Sequence, residues 1–168
     1  WMSIDLQNPD CCNPVRYWQC NPVTRSDLSF EEAARRVREL FLENVRIHLR
    51  SDVPLGAALS GGIDSSAIVM AMREVGGPQL DIQTFSFIAD DPRLSEEGWV
   101  DLVGQAANAT VHKIRIQPKD LARDAGRVME SQEVPFCSTS VLAQYRVFER
   151  ASRAGMKVML DGQGADEI

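Results

Sequence analysis

The stretch Leu59–Met70, LSGGIDSSAIVM, sets a pair of glycines between an apolar run and a helical pattern. Upstream, PLGAALS (54–60) reads as a short buried strand; downstream, Ser66 to about Val75 reads as a helix stopped by Gly76 and Gly77. A glycine turn between strand and helix gathers unpaired backbone N–H groups at the positive end of a helix dipole. Glycine also lets an anion come close to the backbone, because no Cβ stands in the way. The segment Ser60–Ser65 therefore has the local chemistry of a phosphate cradle.

One part of the usual cradle is missing. A phosphate loop of the form GxxxxGK[ST] would add a lysine, whereas here the turn offers hydroxyls at Ser60, Ser65 and Ser66 and an acid at Asp64. An acid beside phosphate implies a metal between them. Mg2+ takes carboxylate and phosphate oxygens together, which makes Asp64 its natural protein ligand. The plainer alternative is a tight strand-to-helix turn in which Asp64 or Ser65 caps the helix.

Outward from this turn, strand and helix patterns alternate. DIQTFSFI (81–88) is followed by a helix from about Ser95, TVHKIRI (110–116) by a helix opened by Pro118, and a further helix near Val141–Ala154, closed by Gly155, by KVMLDG (157–162). This order predicts an α/β fold, a parallel sheet with helices on both faces. Such sheets bind ligands outside the carboxyl ends of their strands, at the turns after Leu59, Ile88 and Leu160. The last of these, LDGQGADE (160–167), is again glycine-rich and carries Asp161, Asp166 and Glu167. Two acidic, glycine-rich turns at one sheet edge predict a crevice for a nucleotide and a metal. Upstream, Ser29 and Glu32 form a capping box, and Ala33, Val37, Leu40, Phe41, Val45 and His48 recur at helical spacing as far as about Leu49. That pattern places His48 in the core, and the strand pattern around His112 gives it a structural role.

Composition narrows the function. The 168 residues are 44% hydrophobic and 25% charged, as expected of a globular chain. A net charge of -6 with scattered Lys and Arg provides no basic field for nucleic acid. No apolar run approaches the roughly 20 residues a bilayer requires, so no membrane role is expected. The first residues lack the regions of a signal peptide, and a cytoplasmic location is the default. Cys11, Cys12, Cys20 and Cys137 have no CxxC spacing, which favours reduced thiols over zinc. Residues 1–28 are rich in turn formers and read as a linker or edge segment, in which Tyr17 and Trp18 are expected to pack on a neighbouring surface. A chain that opens WMSIDLQ and stops at GADEI reads as a piece of something longer.

SDVPLGAALSGGIDSS (51–66) resembles the pyrophosphate loop of the glutamine-hydrolysing asparagine synthetase family of ATP pyrophosphatases, and DGQGADE (161–167) resembles its second ATP-site motif. SGGxDSS marks the wider superfamily, including GMP and NAD synthetases, while VPLGA and GADE narrow it. The likeness runs from about Tyr17, where RYW resembles the connection that follows an N-terminal glutaminase domain. It implies the adenine nucleotide alpha hydrolase-like (PP-loop) fold, with residues 29–168 a partial synthetase domain, incomplete at the C-terminus.

The resemblance implies an amide ligase. Such an enzyme binds ATP with Mg2+, adenylates the side-chain carboxylate of aspartate or a related substrate with release of pyrophosphate, and lets ammonia from glutamine displace AMP. By the same resemblance Ser60, Gly61, Gly62, Asp64 and Ser65 hold pyrophosphate and magnesium, and Asp166 is the matching second metal ligand. Ala58, Phe87, Asp161 and Gly162 contact adenosine. Gln163 occupies a catalytic position where typical asparagine synthetases carry glutamate and β-lactam synthetases tyrosine. Glu96 or Glu97 resembles an acid near the ATP site, and VPFCSTSV (134–141), with Ser138, Thr139 and Ser140, resembles the segment that shapes the aspartate pocket. The implied partners are small-molecule substrates and the glutaminase domain, with a homodimer left open. A β-lactam synthetase, a peptide cyclase and a nucleotide-binding module without chemistry are the alternatives.

Overall fold

The structure, a computed structural model, describes residues 1–8, 10, 12–19, 27–136 and 138–165. The chain divides into two compact units, Trp1–Arg36 and Val37–Ile168. In the first unit, Trp1 and Val15 exchange two backbone hydrogen bonds, of 3.0 and 2.8 Å. Tyr17 and Trp18 are 80% and 71% exposed, so the packing expected of them is not found. The Ser29 hydroxyl accepts from the Glu32 N–H at 3.1 Å, which is the capping half of the predicted box, and α1 (Phe30–His48) begins there.

Four parallel strands, β1 (Leu55–Ala58), β2 (Gln83–Phe87), β3 (Thr110–Ile114) and β4 (Val158–Leu160), form a sheet in the order β3-β2-β1-β4. Between them run α2 (Ile63–Gly76), α3 (Glu97–Ala106), α4 (Pro118–Gln132) and α5 (Thr139–Arg153). The α/β alternation and parallel pairing are as the sequence predicts. Because the chain steps from β1 to β2 to β3 and then returns to pair β4 with the other side of β1, the order reverses between β1 and β4. That reversal is the topological switch point, where open α/β sheets leave a crevice at their carboxyl ends.

Alternation along the strands divides the core between the two faces. Ala57, Leu59, Ile82 and Ile88 pack with Val69 and Met72 of α2, Val100 of α3 and Val45 of α1. Phe85 points the other way and packs with Val147 and Ala151 of α5. Gly56 makes room for this face, since a Cβ there would lie 3.1 Å from the Phe85 ring and 3.2 Å from Met159 Sδ.

Two local readings are corrected. The second helix begins at Ile63, not Ser66, because Gly62 at φ −68°, ψ 164° already has the extended geometry of an N-cap and needs no side chain to start the turn. In α1, Phe41, Leu42, Val45 and Leu49 pack inward while Val37, Leu40 and His48 are exposed. Steps of four from Phe41 reach Val45 and Leu49 and leave His48 outside the stripe. Its Nδ1 bonds the Asn44 carbonyl at 2.8 Å instead of joining the core.

Candidate functional site

The turn after β1 is stapled by its own serines. Ser65 Oγ accepts from the Ser60 N–H (3.1 Å) and donates to the Gly62 carbonyl (3.3 Å), while Ser60 Oγ accepts from the Gly62 N–H (3.1 Å) and lies 2.9 Å from Ser65 Oγ. Gly61 sits at φ +96°, a conformation that favours glycine. The first intrahelical bond of α2 is donated by Ser66 to Gly62 O at 3.1 Å. The N–H groups of Ile63, Asp64 and Ser65 precede it, at the positive end of the helix dipole.

The turn after β4 packs directly on this one. A Cβ on Gly162 would lie 3.1 Å from Asp64 Cβ and 3.1 Å from the Ser65 nitrogen, so only glycine allows the approach. Together the turns line a polar cavity of about 230 Å³, walled by Ser60, Gly62, Asp64, Ser65, Asp161 and Gly162. Asp64 is exposed there and has no hydrogen-bond or ion-pair partner among the described residues. It does not cap α2, whose N-cap has no side-chain bond, and Ser65 lies inside the first turn. The capping alternative therefore fails for Asp64, and the serines serve the turn itself.

A second cavity of about 490 Å³ adjoins the first, sharing Ser60, Asp161 and Gln163 with it. Its walls are mostly apolar: Ala58, Phe85 and Phe87 from the sheet, Leu94 from the loop after β2, and Val141, Val147 and Phe148 from α5. Gln144 and Glu96 supply polar groups. Among the described residues, no lysine, arginine or histidine lines either cavity.

Of the residues singled out in the sequence, Ala58 and Phe87 meet in the larger cavity, and Gly62, Asp64, Ser65 and Gly162 in the smaller, with Ser60, Asp161 and Gln163 in both. Gly61 lies in the turn, packed toward Glu96 and Trp99. Asp166, Glu167 and Cys137 lie outside the described residues, as do Cys11 and Cys20; Cys12 is a free thiol.

The structure separates Glu96 from Glu97. Glu96 faces the larger cavity, whereas Glu97 is held by Lys113 (2.9 Å) and Arg115 (2.8 Å), which keep its carboxyl below the usual carboxylate range. Ser138 caps α5, accepting from the Ser140 N–H at 3.2 Å, and Ser140 reaches the cavity. His112 is structural, stacked on Phe85 with ring centroids 4.6 Å apart and an interplanar angle of 8°. His48 lines a third cavity, of about 310 Å³, behind the Asp161–Ala165 turn. The α5 wall had one signal in the sequence: Val141, Gln144 and Phe148 share a helical face, and Gln144 is a polar residue in an otherwise apolar stripe.

Among the described residues no helix is long and apolar enough to cross a membrane. The chain is 31% identical to asparagine synthetase [glutamine-hydrolyzing] 1 of Bacillus subtilis, with 82% of the chain and 21% of that protein covered. It is also 31% identical to a putative asparagine synthetase [glutamine-hydrolyzing] 2 of Methanocaldococcus jannaschii, with 90% of the chain and 29% of that protein covered. The chain thus spans less than a third of either relative. A solved NH3-dependent NAD synthetase from Campylobacter jejuni shares the fold at 11% identity, with a TM-score of 0.50 over 74% of this chain and 54% of that one. Residues 36–168 match the profile of the asparagine synthase family, and the chain belongs to that family.

Proposed function

We propose that this chain carries the ATP-activating site of an asparagine synthetase-type amide ligase, with the base and sugar of ATP in the larger cavity and its β and γ phosphates in the smaller. One observation carries the reading. An apolar cavity opens into a cradle of helix-terminal N–H groups that, among the described residues, contains a partnerless carboxylate and no cationic side chain. Nucleotide phosphates bring several negative charges, and only a metal lets them settle beside Asp64.

The donor set fits magnesium. Mg2+ keeps several waters and takes one or two carboxylates together with phosphate oxygens, so it does not need a cluster of protein ligands. No group of three or more metal-ligating side chains occurs among the described residues. Asp64 would hold the ion, with Asp166 proposed as the second carboxylate; when bound, the ion supplies charge neutralisation for the departing pyrophosphate. The α2 N–H groups orient the same oxygens, and the apolar walls exclude water from the α phosphorus. A substrate carboxylate, of aspartate or a related acid, attacks that phosphorus and pyrophosphate leaves; ammonia then attacks the acyl carbon and AMP leaves. The intact protein would receive ammonia from a glutaminase domain.

Asp64→Ala is expected to remove most magnesium-dependent ATP affinity from the intact protein. Calorimetric titration with ATP, with and without magnesium, measures it, and an unchanged magnesium-dependent affinity refutes the assignment. Gln163 tests the second half-reaction. A glutamine hydrogen-bonds but takes up no proton near neutral pH, so Gln163→Glu should change amide formation more than ATP–pyrophosphate exchange. An effect confined to exchange would move Gln163 from the amine step to adenylation.

A further inference from the structure

Away from the nucleotide cavities, a cleft of about 290 Å³ lies between the end of β3, the first turns of α4 and the second half of α5. Six cations line it, Lys113, Arg115, Arg123, Arg146, Arg150 and Arg153, against two acids, Asp120 and Glu149. Most of the cations are already answered by carboxylates. Lys113 pairs with Glu97 and Asp101, Arg115 with Glu97 and Asp90, Arg123 with Asp120 and Asp124, Arg146 with Asp124 and Glu149, and Arg153 with Glu149.

Arg150 differs. Its partner among the described residues is His112 Nδ1, at 3.2 Å, which contributes a lone pair and no charge. That geometry fixes the imidazole as neutral: Nδ1 accepts from the guanidinium, and Nε2 donates to Gln83 Oε1 at 2.8 Å. The side chain of Arg150 is exposed, and that of Arg153 beside it is 69% exposed and bonds Glu149 at 2.7 Å, so a ligand would meet Arg150 directly and share Arg153 with Glu149. Among the described residues, Arg150 is thus the cation of the cleft that has no carboxylate partner, in a chain whose overall charge is -6.

We propose that the cleft between β3, α4 and α5 is a second anion site, which takes a compact phosphate-class anion through Arg150 and Arg153. Guanidinium forks match phosphate oxygens in pairs, and a guanidinium without a carboxylate partner is the group such a ligand satisfies. The cleft, close to the lower end of small-molecule sites at roughly 300 Å³, admits inorganic phosphate or pyrophosphate, and its lining is charged apart from Ile114, which offers little apolar surface to a base. This inference does not depend on the nucleotide reading.

The site has a built-in reporter. The group facing His112 from α5 is Arg150, while β2 presents the uncharged Gln83 and Phe85. Partial burial, together with repulsion from Arg150, holds the imidazole below its ordinary value. An anion on Arg150 offsets that repulsion and draws the guanidinium from Nδ1, so occupancy raises the His112 pKa. Because His112 stacks on Phe85, and Phe85 lines the larger cavity, the ring also connects the two regions.

The test is a histidine-ring NMR titration of the intact protein, the His112 signal being identified by its loss in His112→Gln. Inorganic phosphate, magnesium-free pyrophosphate, succinate and chloride are compared at equal ionic strength. A saturable upward shift of the His112 pKa is expected with phosphate and pyrophosphate. Arg150→Gln should start from a raised value and show no further response, and Arg153→Gln should weaken the response severalfold. In Gly62→Val, which blocks the cradle, the response should persist. A shift that does not saturate, or that chloride reproduces, is screening and overturns the proposal. So does a saturable response retained in Arg150→Gln or lost in Gly62→Val, and tighter saturation by succinate overturns the phosphate assignment.

Discussion

Gly62→Val is expected to weaken ATP binding by at least about a hundredfold, equivalent to about 2.7 kcal/mol, while the fold persists. Gly62 has φ −68°, which any residue adopts, and a Cβ there would meet only Ser60 Oγ, at 3.3 Å. The backbone therefore accepts the substitution, at the cost of about 1 kcal/mol or less for a poorer N-cap. The two γ carbons then occupy the cradle, since Gly62 lines its cavity. Gly61→Val is the informative contrast. Gly61 lies at φ +96°, and its Cβ would press on Glu96 Cβ at 3.0 Å and on Trp99 Cβ at 3.2 Å, so that variant distorts the turn as well as the site. Calorimetry with ATP and magnesium, alongside circular dichroism, separates the two. Native dichroism with native affinity in Gly62→Val would make the glycine pair a structural turn only.

The largest expected loss of stability lies elsewhere, at Asp124. Its side chain is 3% exposed on α4 and pairs with Arg146 of α5, itself 14% exposed, and with Arg123 at 3.1 Å. Removing one partner of a buried pair strands the other charge, which costs about 3–5 kcal/mol. Asp124→Ala should fall at the low end, about 3 kcal/mol, because Arg146 keeps Glu149 at 2.7 Å. Replacing both partners with apolar residues, as in Asp124→Leu with Arg146→Met, should recover much of the loss. Chemical denaturation of the two variants measures the difference. An Asp124→Ala protein as stable as the parent would mean that the α4–α5 contact is held by apolar packing alone.

The sheet was legible in the sequence because its strands and helices announce themselves by period and by the glycines that end them, from PLGAALS to KVMLDG. The junctions were less so. The start of α2 was placed late because helix starts are read from capping side chains, and here Gly62 supplies backbone geometry alone. His48 was misplaced because its spacing fits an apolar stripe within one residue, and that one residue carries it out of the core. Of the candidate site, the strand-end turns could be read locally, since their chemistry depends on residues adjacent in sequence. The α5 wall could not. Val141, Val147 and Phe148 have the spacing of ordinary core residues, and only the packing of α5 on β2 turns part of that face into a cavity lining. Glu96 and Glu97 are neighbours in sequence with equal charge; Lys113 and Arg115, distant in sequence, decide which of them is left facing the cavity.

The position of β4 has a consequence for how the chain is made. Leu55 pairs with Val158 and Ala57 with Leu160, so one side of β1 waits for a partner that is synthesised only after α2 through α5. Most other sheet contacts join neighbours in the chain, β1 with β2 and β2 with β3, and form as the ribosome delivers them. The glycine turn after β1 emerges early with its serine staple complete, yet its opposite wall, Asp161 and Gly162, arrives only after β4. During synthesis the unpaired edge of β1 is the surface most open to a wrong strand. The later segment that covers it brings the second turn against Asp64, so pairing β4 with β1 and assembling the crevice go together.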